Sequence, residues 1–144
     1  MSLAILWAMY FDVNVITYDY VGYGISRGSP TESKMYGDIE CVLSFTVNHL
    51  NVPLNKIFLW GYSLGSGPTV DLASRYQNIA GTVLLAPLAS CLLFCDGNLK
   101  WDDSLIEKDT FCNIAKIANI KSHCSIVHGQ QDQKVGKAVI DSHH

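Results

Sequence analysis

The chain has 144 residues, of which 49% are hydrophobic and 16% charged, and its formal net charge is −3. That is the size of one domain with enough apolar side chain for a packed core, which excludes a disordered chain. There is no basic run, so a nucleic-acid partner is excluded as well.

Met1 to Tyr10 form an apolar run that Asp12 and Asn14 interrupt. The run is far shorter than the roughly 20 residues a membrane span needs, and it lacks a basic leader and a small-residue cleavage site. It predicts a core helix leading into a strand, with no transmembrane segment. Val13 to Tyr18 (VNVITY) predicts a buried parallel strand. Asp19 and the turn Gly22-Tyr23-Gly24 end it, followed by Gly28 and Pro30. Met35, Ile39, Val42, Leu43, Thr46 and Leu50 recur at helical spacing, with Thr31 or Ser33 available as N-cap. Asn51 to Asn55 reads as a loop, Lys56 to Trp60 (KIFLW) as a second strand, and Gly61 to Gly67 as a turn. A helix follows through Val70, Leu72, Ala73 and Tyr76.

Gly81 to Ala86 (GTVLLA) predicts a third strand, stopped by Pro87. Residues 88 to 112 mix apolar pairs with Asp96, Gly97, Asp102, Asp103 and Asp109, and read as loops and short helices. Phe111 to Ile120 is weakly helical, Cys124 to Val127 is a fourth strand closing at His128-Gly129, and Lys137 to Asp141 begins a further helix. Strands and helices alternate, so the expected class is α/β: a mostly parallel sheet flanked by helices, in one domain over residues 1–144.

The cysteines are Cys41, Cys91, Cys95, Cys112 and Cys124. An odd number without a secretory leader predicts reduced, buried thiols in a cytoplasmic protein. Cys91 and Cys95 have no second ligand pair at finger-like spacing, so they read as core cysteines on a turn and no metal is expected. No cofactor fingerprint occurs either: the Gly22 to Gly24 turn opens no helix with a six-residue glycine pattern, and no P-loop lysine is present. A flavodoxin-like nucleotide binder therefore rests only on the βαβ alternation and the Gly22 to Gly24 turn.

The pentapeptide Gly61-Tyr62-Ser63-Leu64-Gly65 carries the chemistry. A serine hydroxyl is a weak nucleophile and needs a base within hydrogen-bond reach and donors for the oxyanion. A sharp turn between strand and helix lifts Ser63 above the carboxyl edge of the sheet, where open α/β sheets bind ligands. The residues two before and two after the serine must be small, and Gly61 and Gly65 are. The Leu64 backbone N–H becomes an oxyanion donor, and the helix adds its positive end.

The acid is expected after a later strand, and Asp132 follows Ser125-Ile126-Val127-His128-Gly129. A carboxylate there orients an imidazole and stabilises its charged form. The base is unassigned. His49 precedes the elbow strand, at the wrong edge. His123 starts a strand and His128 ends one, and both read as structural. His143 and His144 close the chain, and the sequence leaves open whether they are native or the remnant of a cut or a tag.

The segments Asp19 to Ser26 (DYVGYGIS), Gly61 to Tyr76 (GYSLGSGPTVDLASRY) and Ala86 to Ser90 (APLAS) resemble the α/β-hydrolase domain-containing 17 family. Phe111, Asn113-Ile114, Lys116-Ile117, His128-Gly129 and Asp132 extend the resemblance, which runs from about residue 13 to about residue 135. Pro68 to Tyr76 is its most specific stretch. The related 13-type (bem46-like) hydrolases match less well there.

The resemblance implies an α/β-hydrolase fold, Ser63 as nucleophile and Asp132 as triad acid. It also implies a serine hydrolase that removes palmitate from cysteines of membrane-associated proteins, so the expected substrate is an acylated protein or a small ester. On the same resemblance, the family's His-Gly-Asn oxyanion loop would precede Met1 and its triad histidine would follow His144. The lipidated cysteine-rich N-terminus that holds members at membranes would also precede Met1. The expected fold is therefore a partial α/β-hydrolase with one exposed sheet edge. His123 and Cys112 stand where the family usually has proline. The alternative is a catalytically inactive fragment or a non-enzymatic α/β-hydrolase-like protein.

Overall fold

The structure is a computed structural model and describes residues 3–96, 99 and 102–132. Three strands form one parallel sheet in the order β1-β2-β3: β1 (Phe58–Tyr62), β2 (Gly81–Leu85) and β3 (Cys124–Val127). Phe58 pairs with Gly81 and Tyr62 with Leu85, while Thr82 pairs with Cys124 and Leu85 with Val127. The carboxyl ends of all three strands therefore share one edge of the sheet. Helices α1 (Leu3–Phe11), α2 (Glu32–Asn48), α3 (Ser66–Arg75), α4 (Cys91–Cys95) and α5 (Asn113–Lys116) complete the regular elements, with short 3₁₀ turns between them.

Helix α2 starts where its sequence provides a cap. Thr31 is extended and its hydroxyl accepts from the Lys34 N–H at 3.3 Å. Met35, Ile39, Leu43 and Thr46 form the buried stripe. Helix α3 lies at the centre of the packing. One side of it, with Leu72 and Ala73, meets Ile39 and Leu43 of α2, Leu59 of β1 and Ile79. The other side, through Val70, meets Leu84 of β2 and Ile117. Leu72, Val70 and Leu84 are fully buried. Their removal from water is the main favourable contribution here, roughly 1.5–3 kcal/mol for each such side chain.

Along β1 burial alternates. Leu59 and Gly61 are buried, whereas Phe58, Trp60 and Tyr62 are exposed on the other face. On that face Trp7 of α1 stacks on Trp60, with centroids 4.2 Å apart.

Three expectations need correction. The segment Val13 to Tyr18 forms no strand: it pairs with nothing in the sheet, and Val13, Val15 and Ile16 are exposed. A β-branched sequence only favours a half-buried pleated surface, and without a ladder partner it forms no strand. The initial helix forms, but not as a core helix. Ile5, Leu6, Met9, Tyr10 and Phe11 are all exposed, because a helix that is apolar on every side needs neighbours on every side.

The cysteines are all reduced, but only Cys112 is buried; Cys41, Cys95 and Cys124 are exposed and Cys91 is intermediate. Cys91 and Cys95 lie on α4, not in a core turn. The helix expected over Lys137 to Asp141, and the pair His143 and His144, lie outside the described residues. Among the described residues, no helix is long and apolar enough to cross a membrane.

Candidate active site

Strand β1 delivers Ser63 to the carboxyl edge of the sheet. The backbone turns within one residue: Tyr62 is still extended, Ser63 has φ +49°, and a 3₁₀ turn over Ser63–Gly65 runs directly into α3. A non-glycine residue in the left-handed region is strained, and such strain concentrates at functional sites. The feature recurs next door, where Ala86, immediately after β2, has φ +45°.

The two flanking glycines are not equivalent. A Cβ on Gly61 would lie 2.8 Å from Thr69 Oγ1 and 2.9 Å from Ser66 Cα, so only glycine lets α3 fold back this closely on its strand. A Cβ on Gly65 would meet only Tyr20 Oη, at an ordinary 3.7 Å, and Gly65 itself is helical with φ −62°. The expectation that both positions must be small therefore holds sterically for Gly61 and not for Gly65. The turn is tight on its β1 side, against the interior of α3, and open on its outer side.

Tyr20, which borders the elbow, comes from the segment after Val13 to Tyr18. Its phenol is raised above the ordinary tyrosine range, mainly by burial. Tyr18 is raised further, by burial first and then by Tyr20 beside it. Their rings meet edge to face, with centroids 5.1 Å apart. The following turn is tied by its own polar groups. The Asp19 carboxylate accepts from the Ile25 N–H at 3.3 Å, and Asp38 of α2 accepts from the Val21 N–H at 2.8 Å. Gly24, at φ +52°, leaves room for the Asp19 carboxylate, which a Cβ there would strike.

A buried polar cluster lies beneath the elbow. Ser66 and Asn113 are each at least 98% buried. The Ser66 hydroxyl donates to the Ser63 carbonyl at 2.6 Å and accepts from the Leu88 N–H at 3.0 Å and from Asn113 Nδ2 at 3.1 Å. Asn113 Nδ2 also donates to the Leu88 carbonyl at 2.9 Å. Neither residue was a sequence candidate. Both lie within stretches used for the resemblance, but their connection exists only in three dimensions.

Asp132 follows β3 and so emerges at the same edge as Ser63, its N–H donating to the Gly129 carbonyl at 3.1 Å. β2 lies between β1 and β3, so Ser63 and Asp132 follow strands two places apart in the sheet, about 10 Å at the usual spacing of about 4.8 Å.

The described histidines divide between the two edges. His49 caps the C-terminus of α2 and stacks on Phe45, before β1 begins. The His123 carbonyl accepts from the Thr82 N–H at the start of β3. Both are at the edge opposite Ser63. His128 lies at the carboxyl edge, with Nδ1 3.1 Å from the Gly129 carbonyl and a buried Nε2 that has no hydrogen-bond partner among the described residues. No hydrogen bond joins Ser63 to a histidine among the described residues, and no group of three potential metal ligands occurs among them.

Residues 9–93 match the family model described as serine aminopeptidase, S33. The chain is 38% identical over 122 residues to α/β-hydrolase domain-containing protein 17C of Xenopus tropicalis, covering 85% of this chain and 38% of that protein. It is 37% identical to the human protein 17B, with 85% and 41% covered. It is 36% identical to the α/β-hydrolase domain-containing protein aho-3 of Caenorhabditis elegans, with 88% and 37% covered. The chain thus spans less than half the length of these relatives. Among solved structures, the crystal structure of an α/β-hydrolase from Vibrio vulnificus matches with a TM-score of 0.58 at 18% identity, covering 85% of this chain and 58% of that one. At that identity the likeness establishes the fold alone.

Proposed function

The chain belongs to the α/β-hydrolase family described as serine aminopeptidase, S33, and from that premise we propose that it carries the nucleophile and acid of a serine hydrolase acting on acyl thioesters or esters. Ser63 attacks the acyl carbonyl, the Leu64 N–H donates to the developing oxyanion, the C–S or C–O bond breaks as the thiol or alcohol leaves with the proton taken from Ser63, and water hydrolyses the acyl-enzyme. Asp132 orients the imidazole that takes the Ser63 proton. The observation that carries this reading is the strained φ of +49° at Ser63, at the junction of a parallel strand and a helix. The long-chain acyl thioester, as on a palmitoylated cysteine, is favoured by the similarity to the 17-type proteins.

The test is hydrolysis of a palmitoyl thioester and of a short ester by the full-length protein and by its Ser63→Ala variant. The expected result is turnover that Ser63→Ala abolishes. Turnover of equal size in both proteins would overturn the reading.

A second reading, a non-enzymatic α/β-hydrolase domain, draws on the histidines. Among those described, His49 and His123 are at the far edge and His128 directs Nδ1 to a backbone carbonyl. Turnover that depends on Ser63 removes this second reading.

A further inference from the structure

The Ser63 carbonyl and the Leu64 N–H belong to the same peptide unit, and the chain contains no cis peptide among the described residues. In a planar trans peptide the C=O and N–H point in opposite directions. Whatever fixes the Ser63 carbonyl therefore also aims the Leu64 N–H.

Two donors on Ser66 fix it: the backbone N–H, which closes the 3₁₀ turn, and the hydroxyl, whose direction is determined by its neighbours. A serine hydroxyl has one proton to donate and two lone pairs to accept with. Both acceptor sites are occupied, by the Leu88 N–H at 3.0 Å and by Asn113 Nδ2 at 3.1 Å. The single proton is left for the Ser63 carbonyl at 2.6 Å. The orientation of the Asn113 amide is fixed in turn, because Nδ2 also faces the Leu88 carbonyl, which can only accept. Asn113 Oδ1, by contrast, is buried with no partner among the described residues. The amide is thus held by its donor end, although burying an unpaired carbonyl is unfavourable.

We propose that Ser66 and Asn113 are positioning residues for the oxyanion donor: Asn113 commits the Ser66 proton to the Ser63 carbonyl, and that bond, added to the one from the Ser66 backbone N–H, holds the Leu64 N–H in its catalytic direction. This rests on Ser63 being the nucleophile. It adds two residues, on α3 and α5, that touch no substrate and act through the backbone.

The test uses the full chain, unsubstituted and as Ser66→Ala and Asn113→Asp, the latter replacing the donor with an acceptor of the same size. Two quantities are read: the Leu64 amide nitrogen resonance, which responds to a hydrogen bond on the preceding carbonyl, and the rate of labelling by a fluorophosphonate. In both variants the Leu64 resonance shifts while those of Ile39 and Leu43 on α2 stay in place. Labelling slows on the order of 10-fold or more, as expected for a misaimed oxyanion donor.

A Leu64 resonance unmoved in a folded variant overturns the proposal. Equal labelling of Ser63→Ala and the unsubstituted chain overturns the nucleophile reading instead, so the two failures are distinguishable. Should both variants unfold, the unsubstituted chain decides. A Ser66 hydroxyl proton protected from exchange and coupled to the Ser63 carbonyl carbon supports the relay, and a freely exchanging one overturns it.

Discussion

The β1-turn-α3 unit and the segment from Leu3 to Tyr18 are both rich in apolar residues, but their environments differ. Around α3 the apolar residues have partners on every side: Leu72, Val70 and Leu84 are fully buried, and the polar atoms of Ser66 are satisfied by three segments of chain. In the first segment Met9 is 74% and Tyr10 85% exposed, and Val13 to Tyr18 pairs with no strand. Apolar sequence is therefore a capacity to be buried. Whether it is realised depends on what the rest of the chain provides.

Substitutions can probe this contrast directly. The largest difference is expected from truncations. Leu84→Ala should cost about 2–5 kcal/mol in a denaturant titration, because it opens a cavity in a dry core. Met9→Ala should stay within about 0.5 kcal/mol, as for an exposed side chain. Comparable losses at the two positions would show that α1 is packed in solution.

Next come the elbow glycines. Gly61→Ala should destabilise by about 1–3 kcal/mol and weaken labelling at Ser63, since its Cβ strikes Thr69 and Ser66. Gly65→Ala should be close to neutral, its backbone being helical and its nearest contact 3.7 Å away. Equal costs would break the asymmetry derived for the turn.

A smaller effect is expected where α3 meets its polar neighbours. Asp71 pairs with Lys116 at 2.7 Å and with Arg75 at 3.1 Å, and its side chain is 13% exposed. Asp71→Asn should cost roughly 1 kcal/mol, less at high salt, as measured by thermal unfolding at two ionic strengths.

The smallest change concerns a thiol. Cys112 is buried and burial raises its thiol above the usual range, so it is protonated at neutral pH. Timed alkylation read by mass spectrometry should modify the exposed Cys95 well before Cys112, and raising the pH should narrow the gap as the Cys112 thiolate forms.

Much of the sheet was legible in the residues. Cys124 to Val127 is a strand as its pattern indicates, and β2 ends at Leu85, one residue before the expected limit. β1 runs from Phe58 to Tyr62, not Lys56 to Trp60. Lys56 closes a 3₁₀ turn, and Gly61 and Tyr62 still pair with Leu84 and Leu85. Glycine at position 61 suggested the turn itself, whereas it marks the close approach of α3.

The elbow pentapeptide was legible because its spacing is local. The Ser66–Asn113–Leu88 cluster was not, since its members are ordinary residues joined only by the packing of α3 on α5 and the chain after β2. The exposure of α1 was equally hidden, because hydropathy records what a segment could bury and not whether a neighbour is present.

The central claim, that Ser63 is the nucleophile, is tested most directly by mapping a fluorophosphonate adduct. The chain is treated with the reagent and digested, and the modified residue is identified by fragment mass spectrometry. A single stoichiometric adduct on Ser63, absent from Ser63→Ala, is expected. An adduct on another residue, or none on the folded chain, would contradict it.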